Sequence, residues 1–164
     1  MHASLPDAEA LVAKLASTIA PAITPETALI GIHTGGAWIA ERLHAQLGIV
    51  QPLGVLDISF YRDDFSRIGL HPEVKPSRIG FQVADRPLIL IDDVLHTGRT
   101  IRAAMNELFD YGRPASIRLA VLVDRGDREL PICPDYVGAQ INLPPDRNLQ
   151  LSLDEDNRLS LSLK

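Results

Sequence analysis

The sequence predicts an α/β protein with a central, mainly parallel β-sheet flanked by helices and a small C-terminal β-hairpin. Three observations support this prediction. Short apolar runs of strand length alternate with segments of helical periodicity, which is the pattern of strand–helix–strand units. The run at 88–91 is apolar on both faces, as expected of a central parallel strand. Residues 148–163 alternate apolar and polar side chains about a polar turn, which is typical of a hairpin.

The first half of the chain is predicted to contain two helices and two strands. Apolar residues recur at helical spacing in both helices, and proline or glycine follows each of them. The first strand leads into a glycine-containing loop that precedes the second helix. The elements, in order, are a helix, a strand, a loop, a helix and a strand at 1–20, 28–32, 33–36, 37–47 and 53–62.

The second half is predicted to repeat the strand–helix–strand unit and to end in the hairpin. Its strands, helix and hairpin fall at 79–83, 88–91, 100–111, 117–123 and 148–163. Between the halves, residues 62–77 mix charged residues with two prolines and a glycine and have no sustained period, which predicts a long mobile loop. We expect residues 1–164 to form a single domain.

Composition narrows the class of protein. The 16 Lys+Arg and 21 Asp+Glu give a formal net charge of -5, which argues against coating nucleic acid through bulk positive charge but leaves room for a local basic patch. The longest apolar run, 119–123, is far shorter than the roughly 20 residues of a membrane helix. The first residues show no secretory pattern, and Cys133 is the only cysteine, so we expect a reducing cytoplasm.

Polar and glycine-rich segments follow three of the predicted strands. Residues 33–36 follow the first strand, 92–100 follow the central strand, and 124–126 follow the next. Ligands of parallel α/β sheets bind beyond the carboxyl ends of the strands. The three segments are therefore expected to line one cleft.

Residues 92–100 have the chemistry of a ribose 5-phosphate site. The turn at 97–100 offers backbone N–H groups and two hydroxyls at the start of a helix, and Gly98 lets the backbone approach an anion. Asp92 and Asp93 are acceptors, suited to sugar hydroxyls or a hydrated metal. The alternative is a pair of helix-capping acids followed by an ordinary turn. The sequence lacks the Walker A and dinucleotide-binding glycine patterns.

Residues 92–100 resemble the phosphoribosyl pyrophosphate motif of type I phosphoribosyltransferases. Three further stretches resemble one family within that superfamily, the pyrimidine operon attenuator/uracil phosphoribosyltransferases. They are Asp-Ile-Ser-Phe-Tyr-Arg-Asp-Asp, Gly-Arg-Pro-Ala-Ser-Ile and Leu-Ala-Val-Leu-Val-Asp-Arg-Gly-Asp-Arg-Glu-Leu-Pro, at 57–64, 112–117 and 119–131. The likeness covers nearly the whole chain.

The resemblance implies an enzyme that makes UMP and pyrophosphate from uracil and phosphoribosyl pyrophosphate. It also implies Mg²⁺ as cofactor, the type I phosphoribosyltransferase fold with the hairpin as its hood, and a homodimer or higher homo-oligomer. The residues to which it assigns catalysis are Asp92, Asp93 and Arg62, with Mg²⁺ held at the two aspartates through water or ribose hydroxyls. The 5′-phosphate residues are Val94, Leu95, His96, Thr97, Gly98, Arg99 and Thr100; the pyrophosphate loop is His33, Thr34, Gly35 and Gly36; and the base-side residues are Asp124 and Arg125.

Two positions depart from the family pattern. His33 and Gly35 stand where better-known members carry lysine and arginine, so two fixed positive charges beside the leaving group are absent. Arg62, in the 62–77 loop, resembles the residue that closes over the pyrophosphate. For Arg125, a salt bridge to Asp127 or Glu129 is as good an explanation as substrate contact.

Two other functions remain open at this point. The first is an RNA-binding regulator that senses UMP in the same pocket and attenuates pyrimidine genes through an mRNA leader, with weak or no catalysis. The second is a metal-dependent phosphohydrolase that uses the two adjacent aspartates. A contiguous basic face would favour the regulator, and phosphate release from simple esters would favour the phosphohydrolase.

Overall fold

A computed structural model describes residues 4–58 and 77–164 of the chain. The strands are β1 (Ala28–Ile32), β2 (Gly54–Leu56), β3 (Pro87–Leu95), β4 (Ser116–Asp124), β5 (Tyr136–Gln140), β6 (Leu149–Leu153) and β7 (Leu159–Leu163). The first five form one sheet in the order β2-β1-β3-β4-β5, and each neighbouring pair in it is parallel. β6 and β7 form the antiparallel C-terminal hairpin.

Helices cover both faces of the sheet. They are α1 (Ala8–Ile19), α2 (Gly35–Leu47) and α3 (Arg99–Asp110), and a short 3₁₀ helix, Ala20–Ala22, follows α1. Alternate residues of β1, β3 and β4 belong to two separate apolar clusters. One cluster contains α1, α2 and the hairpin and the other contains α3, so α2 and α3 lie on opposite faces.

The predicted architecture of a parallel sheet, flanking helices and a terminal hairpin is confirmed. β1 has the predicted bounds, and α2, α3 and β4 differ from prediction by one or two residues at an end. In the hairpin, leucine pairs with leucine on one face, and Leu151 and Leu159 are buried against the α1–α2 cluster. The alternation of leucine and polar residues in the sequence therefore corresponds to one buried face of the hairpin, as expected.

β3 extends beyond its apolar run. The sequence predicts that Asp92 ends the strand, but pairing with β4 continues through Asp92 to Leu95. The two acids are tolerated in the strand because each has a local donor. Asp92 Oδ1 accepts the N–H of Asp93 at 2.9 Å, and Asp93 Oδ1 accepts the N–H of Val94 at 2.8 Å.

The predicted strand at 79–83 is wrong. Arg78, just before that region, forms an isolated antiparallel bridge with Val55. Residues 79–86 form no strand and contain a bend at Phe81 and a turn at 84–85. Ile79 and Phe81 nonetheless pack on the α3 cluster, and Val83 is buried in it. The apolar alternation arises from a loop that packs on the sheet edge.

One strand was not predicted, and another is shorter than expected. β5 contains Gly138, where a Cβ would lie 2.4 Å from the carbonyl oxygen of Leu122. Close approach to β4 therefore requires glycine in place of the β-branched residues that identify strands. β2 ends at Leu56. Residues 53, 57 and 58 of its predicted range are described but lie outside the strand. Residues 59–62, Arg62 among them, and nearly all of the 62–77 loop lie outside the described residues.

No helix in residues 4–58 and 77–164 is long and apolar enough to cross a membrane.

Candidate active site

The strand order creates a crevice between the carboxyl ends of β1 and β3. The chain leaves β1 towards α2 on one face and leaves β3 towards α3 on the other. The two loops therefore diverge, and open α/β sheets bind ligands at such a point. The loop 33–36 and the residues 92–98 line this crevice.

The loop 33–36 lies directly against the carboxylates of β3. A Cβ on Gly35 would lie 2.3 Å from Asp93 Oδ2, and a Cβ on Gly36 would lie 2.4 Å from the carbonyl oxygen of Ile91. The N–H of His33 donates to the carbonyl oxygen of Leu56 at 2.9 Å, and the peptide bond that follows His33 is cis. Position 36 therefore requires glycine, because the loop backbone there meets the backbone of β3. At position 35 a Cβ would instead displace the Asp93 side chain.

Asp92 and Asp93 suit a magnesium ion that is shared with a substrate. Asp92 is 6% exposed and Asp93 is partly exposed, and in each carboxylate one oxygen accepts a local backbone N–H. Among the described residues, no three His, Cys, Asp or Glu side chains form a metal-binding group. Mg²⁺ takes oxygen ligands, keeps several waters and often binds one or two carboxylates together with substrate phosphates. The pair fits that pattern.

The N-terminus of α3 lies beside the carboxylates. Gly98 is its N-cap residue, with a left-handed φ of 94°, and being glycine it offers no side-chain cap. Thr97 Oγ1 accepts the N–H of Arg99 at 3.2 Å. A Cβ on Gly98 would also lie 2.9 Å from Ile132 Cγ1, so both conformation and packing require glycine. The first turn of α3 retains N–H groups and a positive dipole end for an anion.

Residues 124–132, which we call the β4 flap, lie along the loop that precedes α3. Backbone hydrogen bonds join the two segments. The N–H of Arg125 donates to the carbonyl oxygen of Leu95 at 3.0 Å, and those of Glu129 and Leu130 donate to the carbonyl oxygen of Thr97 at 2.9 and 3.1 Å. The segment predicted to contact the base and the segment predicted to bind the 5′-phosphate therefore contact each other.

Arg128 is the central cation of the β4 flap. Its Nη1 and Nη2 donate to the two carboxylate oxygens of Asp124 at 2.8 and 2.7 Å. Nη1 also donates to the carbonyl oxygen of His96 at 3.0 Å, and Nε donates to that of Ile132 at 2.9 Å. The hydrogen bonds between the two side chains lower the pKa of Asp124 below its usual value and raise the pKa of Arg128. The pair is ionised at neutral pH.

Arg125, one of the two predicted base-side residues, is a buried cation. It is 5% exposed, and its Nη1 lies 3.5 Å from Asn148 Oδ1 at the base of the hairpin. Its Nε is buried and has no hydrogen-bond partner in the described part of the chain. Among the described residues, Arg125 forms no ion pair with Asp127 or Glu129. Glu129 pairs instead with Arg99 at 2.6 Å. An unused buried N–H group favours contact with a ligand oxygen.

The pKa of His96 is affected by the charged residues of the β4 flap. Burial lowers the pKa of His96 below its usual 6.5, and the positive charge of Arg125 lowers it further. Its imidazole is therefore neutral at pH 7. The acids Asp127 and Glu129 act in the opposite direction but do not cancel these effects.

Known proteins share this sequence over most of its length. Residues 3–155 match the family described as phosphoribosyl transferase domain. A Pseudomonas aeruginosa protein named bifunctional protein PyrR is 51% identical over 152 residues, which cover 90% of this chain and 89% of that protein. A Nitrosococcus oceani protein of the same name is 61% identical over 127 residues, 76% of this chain and 72% of that protein.

The chain belongs to the PyrR family of phosphoribosyltransferases.

Solved structures agree with the fold of this PyrR-family chain. A hypoxanthine-guanine phosphoribosyltransferase from Bacillus anthracis superimposes with a TM-score of 0.68 at 21% identity, over 90% of this chain and 86% of that chain. A purine phosphoribosyltransferase from Pyrococcus horikoshii gives 0.61 at 26% identity, over 80% and 82%. The family resemblance predicted from the sequence is confirmed.

The structure brings together nearly all of the residues assigned to the PyrR-family site. The loop 33–36 contacts Asp92 and Asp93, and residues 94–98 contact the segment that carries Asp124 and Arg125. Arg62 lies outside the described residues, so its assignment stays a prediction. Arg99 faces Glu129 across an exposed ion pair.

Sequence reasoning missed Arg128 and Asn148. Asp124 and Arg128 are four residues apart, a spacing that indicates contact on a helix, but this segment is not helical. Arg128 also reaches carbonyl groups that only the tertiary fold brings near it. The density of charged residues at 124–129 is the one signal that pointed to this segment.

Proposed function

We propose that this chain transfers the phosphoribosyl group of phosphoribosyl pyrophosphate to uracil, giving UMP and pyrophosphate, and that it also senses UMP as a regulator of pyrimidine genes. The observation that carries the proposal is the contact of the glycine loop 33–36 with Asp93 at the crevice between β1 and β3, beside the N-terminus of α3. Membership of the PyrR family supports it.

The order of the binding elements in the crevice matches the order of the functional groups along phosphoribosyl pyrophosphate. Phosphoribosyl pyrophosphate carries pyrophosphate at one end of the ribose, hydroxyls along one edge and a phosphate at the other end. The crevice offers a backbone loop at 33–36, then the carboxylates of Asp92 and Asp93, then the N-terminus of α3. We assign these three parts to pyrophosphate, ribose hydroxyls and 5′-phosphate respectively.

The base is assigned to the side of Asp124 and Arg125. The buried Nε–H of Arg125 has no protein acceptor among the described residues, and uracil offers two carbonyl oxygens. Asn148 holds the other end of that guanidinium and begins the hairpin, whose role as hood we retain from the sequence.

Positioning and electrostatics carry the chemistry in this proposal. The bond between the anomeric carbon and pyrophosphate breaks ahead of the new bond, so the site must hold a cationic sugar and a departing anion. Asp92 and Asp93 orient the sugar through its hydroxyls and place negative charge near it. These carboxylates would hold Mg²⁺, which would supply positive charge to stabilise the departing pyrophosphate.

The leaving-group side is weakly charged in this chain. Residues 33–36 contain no lysine or arginine, so the donors that the loop provides are backbone N–H groups, the His33 imidazole and the Thr34 hydroxyl. We assign the additional positive charge on this side to Arg62, as the family resemblance implies.

Pyrophosphate release tests the enzymatic part of the proposal. Wild-type protein with Mg²⁺, phosphoribosyl pyrophosphate and uracil should release pyrophosphate and form UMP, and Asp93→Asn should lower the rate at least about a hundredfold. Asp110→Asn is the matched control, because this exposed aspartate ends α3 far along the chain from the crevice. Equal rates for wild type and Asp93→Asn would contradict the proposal.

The regulatory part predicts a pyrimidine-operon mRNA leader as partner. The PyrR relatives are named bifunctional, and exposed arginines lie in or next to α3, where they are available to RNA phosphates: Arg78, Arg102 and Arg113. In a filter-binding assay, the protein should retain its own operon leader, and UMP should change the affinity. RNA binding that UMP leaves unchanged would contradict UMP sensing. A homo-oligomer acting in the cytoplasm completes the proposal.

A further inference from the structure

The β4 flap contacts the proposed 5′-phosphate loop, residues 94–100, at several points. One side chain connects the two segments. Arg128 is mostly buried, with 23% of its side chain exposed. Four of its five N–H groups donate to acceptors in three places: Asp124 at the end of β4, His96 in the phosphate loop and Ile132 at the end of the flap. A planar guanidinium fixes the relative position of acceptors that it binds at once.

The packing around this cation transmits its position to both parts of the site. Ile132, which accepts from Arg128 Nε, lies against Gly98, the N-cap of α3. Asp124, which accepts from both Nη atoms, also accepts the N–H of Gly126 at 2.9 Å and so shapes the turn next to Arg125. Displacing Arg128 would therefore disturb the helix terminus and the base-side turn together.

We infer that Arg128 is a positioning residue that couples the base side of the site to its 5′-phosphate loop. It acts through its acceptors and does not touch the substrate. This inference rests on the proposed function, because it uses the assignments of 5′-phosphate to the start of α3 and of the base to the Arg125 side.

The inference gives Asp124 an indirect role. Both of its carboxylate oxygens accept hydrogen bonds from Arg128, and one also accepts from Gly126. Its side chain is 11% exposed. Asp124 therefore serves the base side by holding Arg128 and the turn, and Arg125 contacts the ligand.

Affinities for the two halves of the ligand test the coupling. Arg128→Gln removes the charge and most of the donors, and we expect both the Kd for ribose 5-phosphate, measured by calorimetry, and the KM for uracil to rise about tenfold. Arg128→Lys keeps the charge opposite Asp124 but loses the fork, so we expect it to weaken ribose 5-phosphate more than uracil. Arg118→Gln is the matched control, since this exposed arginine of β4 donates only to the Tyr136 hydroxyl among the hydrogen bonds found, at 3.2 Å.

A double-mutant cycle separates positioning from direct base contact. If Asp124 acts by holding Arg128, the Asp124→Asn/Arg128→Gln double variant should bind UMP no more weakly than Arg128→Gln alone. Multiplicative losses in the double variant would overturn the inference. So would an unchanged Kd for ribose 5-phosphate in Arg128→Gln. Thermal unfolding of each variant identifies loss of folded protein, and Arg128→Lys supplies the test if Arg128→Gln does not fold.

Failure of the proposed function has a different outcome. A wild-type protein that binds ribose 5-phosphate but forms no UMP would contradict the transferase proposal, and the effect of Arg128→Gln on ribose 5-phosphate would still support or overturn the positioning role. A wild-type protein that binds neither ribose 5-phosphate nor UMP would overturn both.

Discussion

The loops after β1 and β3 both leave a parallel strand and begin a helix, yet they are held in place differently. The loop 33–36 is fixed by close approach, because Gly35 and Gly36 bring its backbone against Asp93 and the carbonyl group of Ile91. The loop 96–98 is also fixed by hydrogen bonds from the β4 flap. Arg128 donates to the carbonyl oxygen of His96, and the N–H groups of Glu129 and Leu130 donate to that of Thr97. The first arrangement should therefore fail when an atom is added, and the second should fail when a donor or charge is removed.

Adding a methyl group at Gly36 should have the largest effect. The new Cβ would lie 2.4 Å from the carbonyl oxygen of Ile91, which is backbone in the central strand and cannot rotate away. We expect Gly36→Ala to lower the free energy of unfolding by about 3 kcal/mol in urea titrations. Gly80→Ala is the control, because its Cβ would meet only Pro52 at 3.7 Å. Equal losses in the two variants would refute close packing as the cause.

The same change one residue earlier should affect binding more than stability. A Cβ on Gly35 would collide with the carboxylate of Asp93, which is able to rotate at the cost of its hydrogen bond from Val94. We expect Gly35→Ala to raise the KM for phosphoribosyl pyrophosphate about tenfold while the free energy of unfolding falls by less than about 1 kcal/mol.

An Asp93→Asn background gives the control for Gly35→Ala. If the methyl group acts by displacing the carboxylate, it should weaken phosphoribosyl pyrophosphate binding much less once that carboxylate has been replaced. Equal losses in both backgrounds would show that the loop, and not Asp93, is what the substitution disturbs.

The contrast between the two loops also explains what the sequence could predict. Glycines after β1 and the acid pair near the end of β3 are local signals, so residues 33–36 and 92–98 could be assigned to one cleft. Arg128 donates to the carbonyl oxygen of His96, which is 32 residues away along the chain and is brought near only by the fold. No local sequence pattern predicts this hydrogen bond. Tertiary packing also explains the two errors in strand prediction. β5 was missed because close packing on β4 requires Gly138, which is not typical of strands. Residues 79–83 were predicted as a strand because Ile79, Phe81 and Val83 alternate, but they belong to a loop that packs on the α3 cluster.

Removing the charge of Asp124 should have a smaller, pH-dependent effect. Because Arg128 lowers the pKa of Asp124 in the folded protein, the pair adds stability above the usual carboxyl pKa of 3.8 and loses it as the pH falls through the lowered value. We expect Asp124→Asn to cost about 1 kcal/mol at pH 7. The difference from wild type in urea unfolding should shrink below pH 3.8. A difference that stays constant down to pH 2 would exclude the ion pair as its source.

The smallest predicted effect is on the titration of His96, and it bears on how the phosphate loop is joined to the base side. Burial is the main reason for the lowered pKa of His96, and the charge of Arg125 is the second. Arg125→Gln should therefore raise this pKa, as followed by NMR of the imidazole, while Arg118→Gln should leave it unchanged. An unchanged pKa in Arg125→Gln would mean that solvent screens the two sides of the crevice from each other. A raised pKa would mean that charge on the base side reaches the phosphate loop directly, so that a ligand oxygen that binds Arg125 also alters the electrostatics at the start of α3.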